Sequence, residues 1–258
     1  MSTPVPELEL AERVGSLAAG KDPKAFYLEY GRRIRDDLTA LVPGGWEGKR
    51  VLDFGCGAGR VLRHLVDERA ELHGCDVDRP SIEWLERHLS PPLHVFVNGE
   101  RPPLDRPDAH FDVVYAVSVF THLTDQWAPW LLELHRVLKP GGVLVVHAPH
   151  REPLSFVLRN RLLRRPDTLC ALYLPDHVLG FTGSSLARVA KRAGFDALSV
   201  ETTGKWSAYS DPFFLRHHIR QRTFLTLSRH VTRQLVDSVG VWLGQGDWVV
   251  GHFRKSPD

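Results

Sequence analysis

The sequence predicts an α/β protein built on a doubly wound, mostly parallel sheet, and three observations carry this prediction. From Arg50 to His147 short apolar runs alternate with amphipathic stretches, the strand-helix order that a parallel sheet requires. The apolar runs lack polar alternation, as expected of strands covered on both faces. The first of them, Val51-Leu52-Asp53-Phe54, passes directly into glycines at alternate positions. Glycine there lets the chain turn sharply and lets a ligand approach the backbone closely.

The elements follow in order. Asp22 can cap a helix with Pro23 at its first position. Phe26, Tyr30, Ile34, Leu38 and Leu41 mark its apolar face, and Pro43-Gly44-Gly45 ends it. Arg50 to Phe54 reads as the first strand and Arg60 to Glu68 as a helix. Glu71 to Cys75 is the second strand, and Asp78 with Pro80 opens a helix to Leu89. Leu93 to Val97 and Phe111 to Val117 are the third and fourth strands. Asp125 to Leu138 is a helix ended by Pro140-Gly141-Gly142, and Val143 to His147 is the fifth strand. A helix from Ser184 to Ala193 precedes a strand from Phe195 to Glu201, and Asp247 to Phe253 forms the last strand. Between these lie two longer, less regular stretches, Pro149 to Gly180 and Thr202 to Gly246. The first holds a basic, apolar helix near Phe156 to Arg165, and the second a helix from about Pro212 to Val236. The expected organisation is a helical cap over 1–45 and a main domain over 46–258, with insertions at about 149–180 and 202–246.

With 258 residues the chain can bury one α/β core and carry additions. Its 43% hydrophobic content is globular rather than disordered. A formal net charge of +2 argues against a surface that coats nucleic acid. Arg outnumbers Lys, which suggests a GC-rich, bacterial genome. The stretch from Met1 to Leu10 lacks the basic start and apolar run of a signal peptide, and no apolar run is long enough to span a bilayer. Cys56, Cys75 and Cys170 have no metal-ligand spacing and cannot all pair. The expectation is a cytoplasmic protein with reduced thiols and no membrane partner.

The strongest motif is Asp53-Phe54-Gly55-Cys56-Gly57-Ala58-Gly59-Arg60. Dinucleotide enzymes place a glycine at the sixth position of G-x-G-x-x-G. Here that position is Arg60 and the third glycine falls at Gly59, so the spacing favours S-adenosylmethionine over NAD. Asp76 ends the second strand, where a carboxylate can accept hydrogen bonds from both ribose hydroxyls. Asp78 competes for that role, but its place before Pro80 suits helix capping better.

This series resembles the first motif of class I S-adenosylmethionine-dependent methyltransferases. The resemblance continues through Asn98-Gly99-Glu100, Phe111-Asp112-Val113-Val114, Ser118-Val119-Phe120-Thr121-His122-Leu123 and Leu138-Lys139-Pro140-Gly141-Gly142. It covers about Lys49 to Val146, with weaker likeness to Phe195. It implies a Rossmann-like, seven-stranded sheet whose last strand is antiparallel, with S-adenosyl-L-methionine as cofactor. The cofactor residues it implies are Asp53, Gly55, Cys56, Gly57, Gly59, Asp76, Val77, Gly99, Glu100, Ala116 and Ser118.

Methyl transfer needs a nucleophile held in line with an activated methyl group, and a proton acceptor when the nucleophile is a hydroxyl. Positioning supplies roughly 7–11 kcal/mol of barrier lowering, and a general base about 10²–10⁴-fold in rate. His122 sits just beyond the fourth strand, where ligands bind in an open α/β sheet. A loop-ordering role suits it equally. His147 and His150 follow the fifth strand, and His177 lies in Leu174-Pro175-Asp176-His177, which resembles a substrate-side segment. His122, His150 and His177 are the candidate bases, and Tyr27, His150 and His177 the candidate acceptor contacts. Tyr30 belongs to the apolar stripe, which leaves Tyr27 freer to face a ligand. Arg159, Arg161, Arg164 and Arg165 read as a solvated helix face, with an anionic acceptor as the sharper alternative.

The acceptor is expected to be a small molecule, in natural-product or surface-sugar biosynthesis. Nucleic-acid amino-methyltransferases resemble one another in an Asn/Asp-Pro-Pro-aromatic motif, and Ser118-Val119-Phe120-Thr121 stands in its place. Catechol-type enzymes put metal-binding acids at the end of the fourth strand, where this chain has Ala116 and Val117, so no metal is expected. The alternatives are a nucleic-acid or protein methyltransferase, an NAD oxidoreductase, or a non-catalytic partner subunit that keeps the fold. A homodimer contact suits the second insertion as well as an acceptor role does.

Overall fold

The computed structural model describes residues 4–12, 22–151, 154, 157, 179–203, 236, 238–243, 245 and 248–256. A short helix α1 (Leu8–Glu12) precedes α2 (Pro23–Leu41). Then follow β1 (Arg50–Phe54), β2 (Glu71–Asp76), α3 (Arg79–His88), β3 (Leu93–Val97), β4 (Phe111–Val117), α4 (Trp127–Val137), β5 (Leu138–Pro149), α5 (Gly183–Arg192), β6 (Phe195–Thr203) and β7 (Trp248–Lys255). The strands form one seven-stranded sheet in the order β3-β2-β1-β4-β5-β7-β6. All pairs are parallel except those of β7 with β5 and β6. The strand order reverses between β1 and β4, and in such sheets ligands bind beyond the carboxyl ends at that point.

Each face of the sheet is sealed by its own core. Leu52, Phe54, Val114, Ala116, Leu144 and Val146 pack toward α4 and α5. Val51, Val113, Tyr115, Val143 and Val145 pack on the other side, with Ile34 and Leu38 of α2 and Ile82 and Leu85 of α3. This two-sided burial is why the strands read as continuous apolar runs.

Four local expectations are corrected. Helix α2 starts as expected, with the Asp22 carboxylate accepting from the Lys24 N–H at 3.0 Å. Its buried face, however, is Tyr27, Gly31, Ile34 and Leu38, one residue round from Phe26 and Tyr30. Close approach decides the rotation: a Cβ at Gly31 would lie 2.0 Å from the Arg60 carbonyl oxygen, so glycine lets the helix backbone rest directly on that turn. Arg60 to Glu68 is not an α-helix but a 3₁₀ turn over Leu62–Leu65. Gly59 has φ +72°, outside the right-handed helical region. One bond runs four residues back, from Arg63 N–H to Gly59, but those from His64 N–H to Val61 and from Glu68 N–H to Leu65 run three back. Asp78 precedes α3 but caps no backbone N–H; its carboxylate accepts from the Ser81 hydroxyl at 2.5 Å. The helix expected from Asp125 begins as a 3₁₀ turn, Thr124–Gln126, and α4 starts at Trp127. It runs straight into β5 at Leu138, so Pro140, Gly141 and Gly142 belong to the strand rather than to a helix end.

The helix near Phe156 to Arg165, with Arg159, Arg161, Arg164 and Arg165, lies outside the described residues, as does the one expected from Pro212. No helix of the described residues is long and apolar enough to cross a membrane.

Candidate active site

The glycine turn leaves β1 at the centre of the sheet. The N–H groups of Gly55 and Cys56 both donate to the Cys75 carbonyl, at 2.8 and 3.0 Å, which ties the turn to the end of β2. Gly55 has φ +79°, and a Cβ there would lie 2.3 Å from Val119. Gly57 has φ +51°. Gly59 likewise leaves no room: a Cβ would sit 2.7 Å from Leu85. Cys56 is buried, and burial holds its thiol well above the ordinary range, so it is no nucleophile at neutral pH.

Asp76 ends β2 as expected. One carboxylate oxygen accepts from the Gly57 N–H at 2.7 Å and the other from the Asp78 N–H at 2.9 Å. Both oxygens are thereby fixed at the mouth of the turn, and each keeps acceptor capacity for a ligand hydroxyl. The exposed side chain of Val77 supplies an apolar surface beside it. Gly99 and Glu100 are exposed just after β3, and the Glu100 carbonyl accepts from the Trp130 indole N–H at 3.1 Å.

Asp53 is 3% exposed, and burial pushes its carboxyl up to about 8. Tyr115 and Arg60 oppose that rise and the charge of Asp76 adds to it. It is therefore largely a neutral acid at pH 7. Ala116 is sealed in the core, so its side chain offers a ligand nothing and only its backbone can. Ser118 takes left-handed φ +62°, and its N–H donates to the His147 carbonyl at 2.8 Å, joining the ends of β4 and β5.

The histidines separate by environment. His122 is exposed in the turn after β4, its N–H bonded to the Val119 carbonyl at 2.9 Å. His147 is buried and stacked on Trp248, with ring centroids 4.5 Å apart; burial pushes it down to about 3. So weak a base does not suit proton removal at neutral pH. His150 is buried in a bridge with Phe181, at the start of the first insertion. His177 lies outside the described residues.

Tyr27 does not face a ligand freely. It is 1% exposed and its hydroxyl donates to the Ala58 carbonyl at 3.0 Å. Burial raises that hydroxyl to about 12, and the Arg63 and Arg60 charges oppose the rise. Tyr30 packs against the core as its stripe implies, part-buried, with the Arg60 guanidinium 4.8 Å from its ring centre. Tyr115 and Arg63 were missed by sequence reasoning. Arg63 sits inside the run Val61-Leu62-Arg63-His64-Leu65, and a cation within an apolar run is the signal that could have found it.

A second titratable cluster lies at the opposite edge of the sheet. Ligand atoms of Glu71, His73 and His110 lie within 4.8 Å of one another. The Arg50 guanidinium donates to Glu71 at 2.9 Å and lies 3.3 Å from His110 Nδ1. A protein cation thus already sits against Glu71 and His110, and His73 Nε2 pairs with the other Glu71 oxygen at 2.8 Å.

The model of a methyltransferase domain family matches residues 27–200. The chain belongs to that family, and with it to the class I S-adenosylmethionine-dependent methyltransferase superfamily. The family implies S-adenosylmethionine as methyl donor. Over 149 residues the chain is 31% identical to a probable S-adenosylmethionine-dependent methyltransferase of Mycolicibacterium smegmatis, covering 58% of this chain and 52% of that one. Over 129 residues it is 29% identical to the ubiquinone biosynthesis O-methyltransferase of Alkalilimnicola ehrlichii, covering 48% and 51%. The chain thus spans about half the length of these curated relatives. Among solved structures, the [4+2]-cyclase SpnF superposes with TM-score 0.62 at 19% identity, over 97% of this chain and 92% of that one. That likeness concerns the fold alone.

Proposed function

We propose that the protein transfers a methyl group from S-adenosylmethionine to a hydroxyl or amine of a small molecule, without a metal ion. The observation that carries this reading is the turn Gly55 to Gly59 closed onto Asp76, with both Asp76 oxygens fixed by backbone N–H groups. The donor set fits the cofactor: an acceptor pair for ribose hydroxyls at Asp76, an apolar surface at Val77, and glycines where side chains would collide. Asp53, Gly55, Cys56, Gly57, Gly59, Asp76, Val77, Gly99, Glu100, Ser118 and the backbone of Ala116 would hold it. When bound, it supplies an electrophilic methyl group that needs no metal or further activation.

The chain's own task is to orient the acceptor and take its proton. His122 and His150 flank the ends of β4 and β5, and we assign proton removal to this pair, with His177 as the third candidate. The relatives' names include O-methyltransferases, which favours a hydroxyl acceptor. The net charge of +2 supports a small molecule over nucleic acid.

Methyl-labelled cofactor offered with phenols, sugar hydroxyls, amines, DNA, RNA and protein, with a chelator present, tests the reading. Label in a small hydroxyl or amine compound is expected. Label only in a polymer, or activity that a chelator removes and magnesium restores, overturns it.

A further inference from the structure

Arg63 is 2% exposed, and among the described residues no carboxylate contacts it. Its guanidinium donates instead to three backbone carbonyls. Nε reaches Gly59 at 3.0 Å, Nη2 reaches Ala58 at 3.0 Å and Nη1 reaches Pro4 at 2.5 Å. Its Cζ lies over two rings, 5.1 Å from the centre of Tyr27 and 5.5 Å from that of Trp84. A buried cation is expensive unless its donors are met, and here two of the three acceptors belong to the glycine turn.

We propose that Arg63 is the positioning residue of the cofactor turn, a guanidinium that fixes the Ala58 and Gly59 peptides from behind and so sets cofactor affinity without touching the cofactor. This rests on the reading of the turn as the S-adenosylmethionine site.

Peptide planarity makes the link. In a trans peptide the C=O and the following N–H point in opposite directions. Holding the Gly59 carbonyl toward Arg63 turns the Arg60 N–H away from it. Holding the Ala58 carbonyl there aims the Gly59 N–H at the Cys56 carbonyl, to which it donates at 2.9 Å. The Tyr27 hydroxyl adds a second donor to Ala58 at 3.0 Å. Gly31 of α2 abuts the next carbonyl, that of Arg60. Two successive carbonyls of a turn containing left-handed glycines are thus hydrogen-bonded, that of Gly59 by the Arg63 backbone N–H at 3.2 Å as well as by its guanidinium, and the third is packed against Gly31. Glycine has the largest backbone entropy to lose, so a turn already fixed binds more tightly than one ordered by its ligand.

The test compares Arg63→Met, Arg63→Lys and Tyr27→Phe with Leu65→Ala, a core change in the same segment that touches neither Ala58 nor Gly59 in the hydrogen-bond pattern above. Calorimetry with S-adenosylhomocysteine, thermal unfolding, and amide exchange over Gly55 to Arg60 without ligand are measured on each full-length variant. Arg63→Met is expected to weaken binding by about tenfold or more, the loss typical of a charged hydrogen bond. Arg63→Lys, with one of the donors restored, falls between, and Tyr27→Phe loses a few-fold. Exchange quickens in the turn and stays unchanged in β1 and β4. Leu65→Ala lowers the unfolding temperature with affinity within twofold of the parent. If Arg63→Met does not fold, Arg63→Lys and Tyr27→Phe decide by the same readings. Parental affinity and parental exchange in the folded Arg63 variants overturn the inference. If the parent itself binds no S-adenosylhomocysteine, the cofactor reading fails, while turn exchange still decides whether Arg63 positions these peptides.

Discussion

The two edges of the sheet are built on opposite principles. At the carboxyl edge, ionisable groups are buried and displaced from their ordinary behaviour: Asp53 is a largely neutral acid, His147 a neutral base, and Arg63 a cation held by carbonyls. Glycines there sit against neighbours. At the amino edge, most charges pair near solvent, and the one buried lysine there among the described residues, Lys255, donates to the His135 and Leu138 carbonyls at 3.0 Å. Lys139 bonds Asp112 at 2.7 Å and Arg50 bonds Glu71 at 2.9 Å. The open groove beside the Lys139–Asp112 pair, about 600 Å³, mixes Lys49 and Arg254 with Asp112 and Asp196. Left-handed non-glycine residues occur at both edges, Ser118 at one and Arg69 and Ala109 at the other, so what marks the carboxyl edge is the set of buried ionisable groups gathered around the glycine turn. The gathering of such groups around one turn, more than the number of charges, tells the two ends apart.

The largest effect should come from glycine. Gly55 and Gly141 have similar left-handed angles, φ +79° and +74°, but a Cβ at Gly141 would meet nothing within 4 Å. Gly55→Ala should therefore cost about 2–5 kcal/mol, combining backbone strain with the collision at Val119, and should abolish cofactor binding. Gly141→Ala should cost only about 1–2 kcal/mol and leave binding intact. Denaturant unfolding with S-adenosylhomocysteine titration checks both, and equal behaviour of the two would break the comparison.

Next in size is pH. The folded protein holds a proton on Asp53 up to about pH 8, whereas an unfolded Asp releases it near pH 4. Since the folded state binds more protons across that window, Asp53 makes stability fall as pH rises from about 4 to about 8. The slope is at most about 1.4 kcal/mol per pH unit. His147 acts oppositely: with its folded value near 3, its stability contribution is lost as pH falls from about 6.5 toward 3. Asp53→Asn should flatten the decline between pH 6.5 and 8, where the His147 contribution is complete and adds nothing to the slope. An unchanged profile of unfolding free energy over that interval would remove Asp53 from the account.

The smallest effect belongs to the amino edge. Lys139 is 41% exposed beside Asp112, and such pairs contribute about 0–1 kcal/mol. Lys139→Ala should shift unfolding by no more than that and should not alter cofactor affinity. A tenfold affinity loss there would mean that the edges are coupled.

Much of this was legible in the sequence, for physical reasons. Doubly covered strands write themselves as apolar runs, and β4 was placed at Phe111–Val117 to the residue. The Gly55 to Gly59 turn and Asp76 were readable because close approach to a backbone demands particular residues. The cap helix was misread by one position because apolar counting favours Phe26 and Tyr30. The face is set instead by Gly31, whose value is the absence of a side chain. Arg60 to Glu68 looked helical because periodicity cannot register a left-handed Gly59. Arg63 carried a signal, a cation within an apolar run, but its role is set by the left-handed glycine turn and the distant Pro4 carbonyl, which periodicity does not register.

The central claim is that the carboxyl edge binds S-adenosylmethionine through the turn and Asp76. Calorimetric titration of the parent and of Asp76→Ala with S-adenosylhomocysteine and with NAD tests it most directly. The account predicts one site for S-adenosylhomocysteine, weakened about tenfold or more in Asp76→Ala, and no heat from NAD. Binding of NAD to the parent, or equal S-adenosylhomocysteine affinity in a folded Asp76→Ala variant, would contradict it.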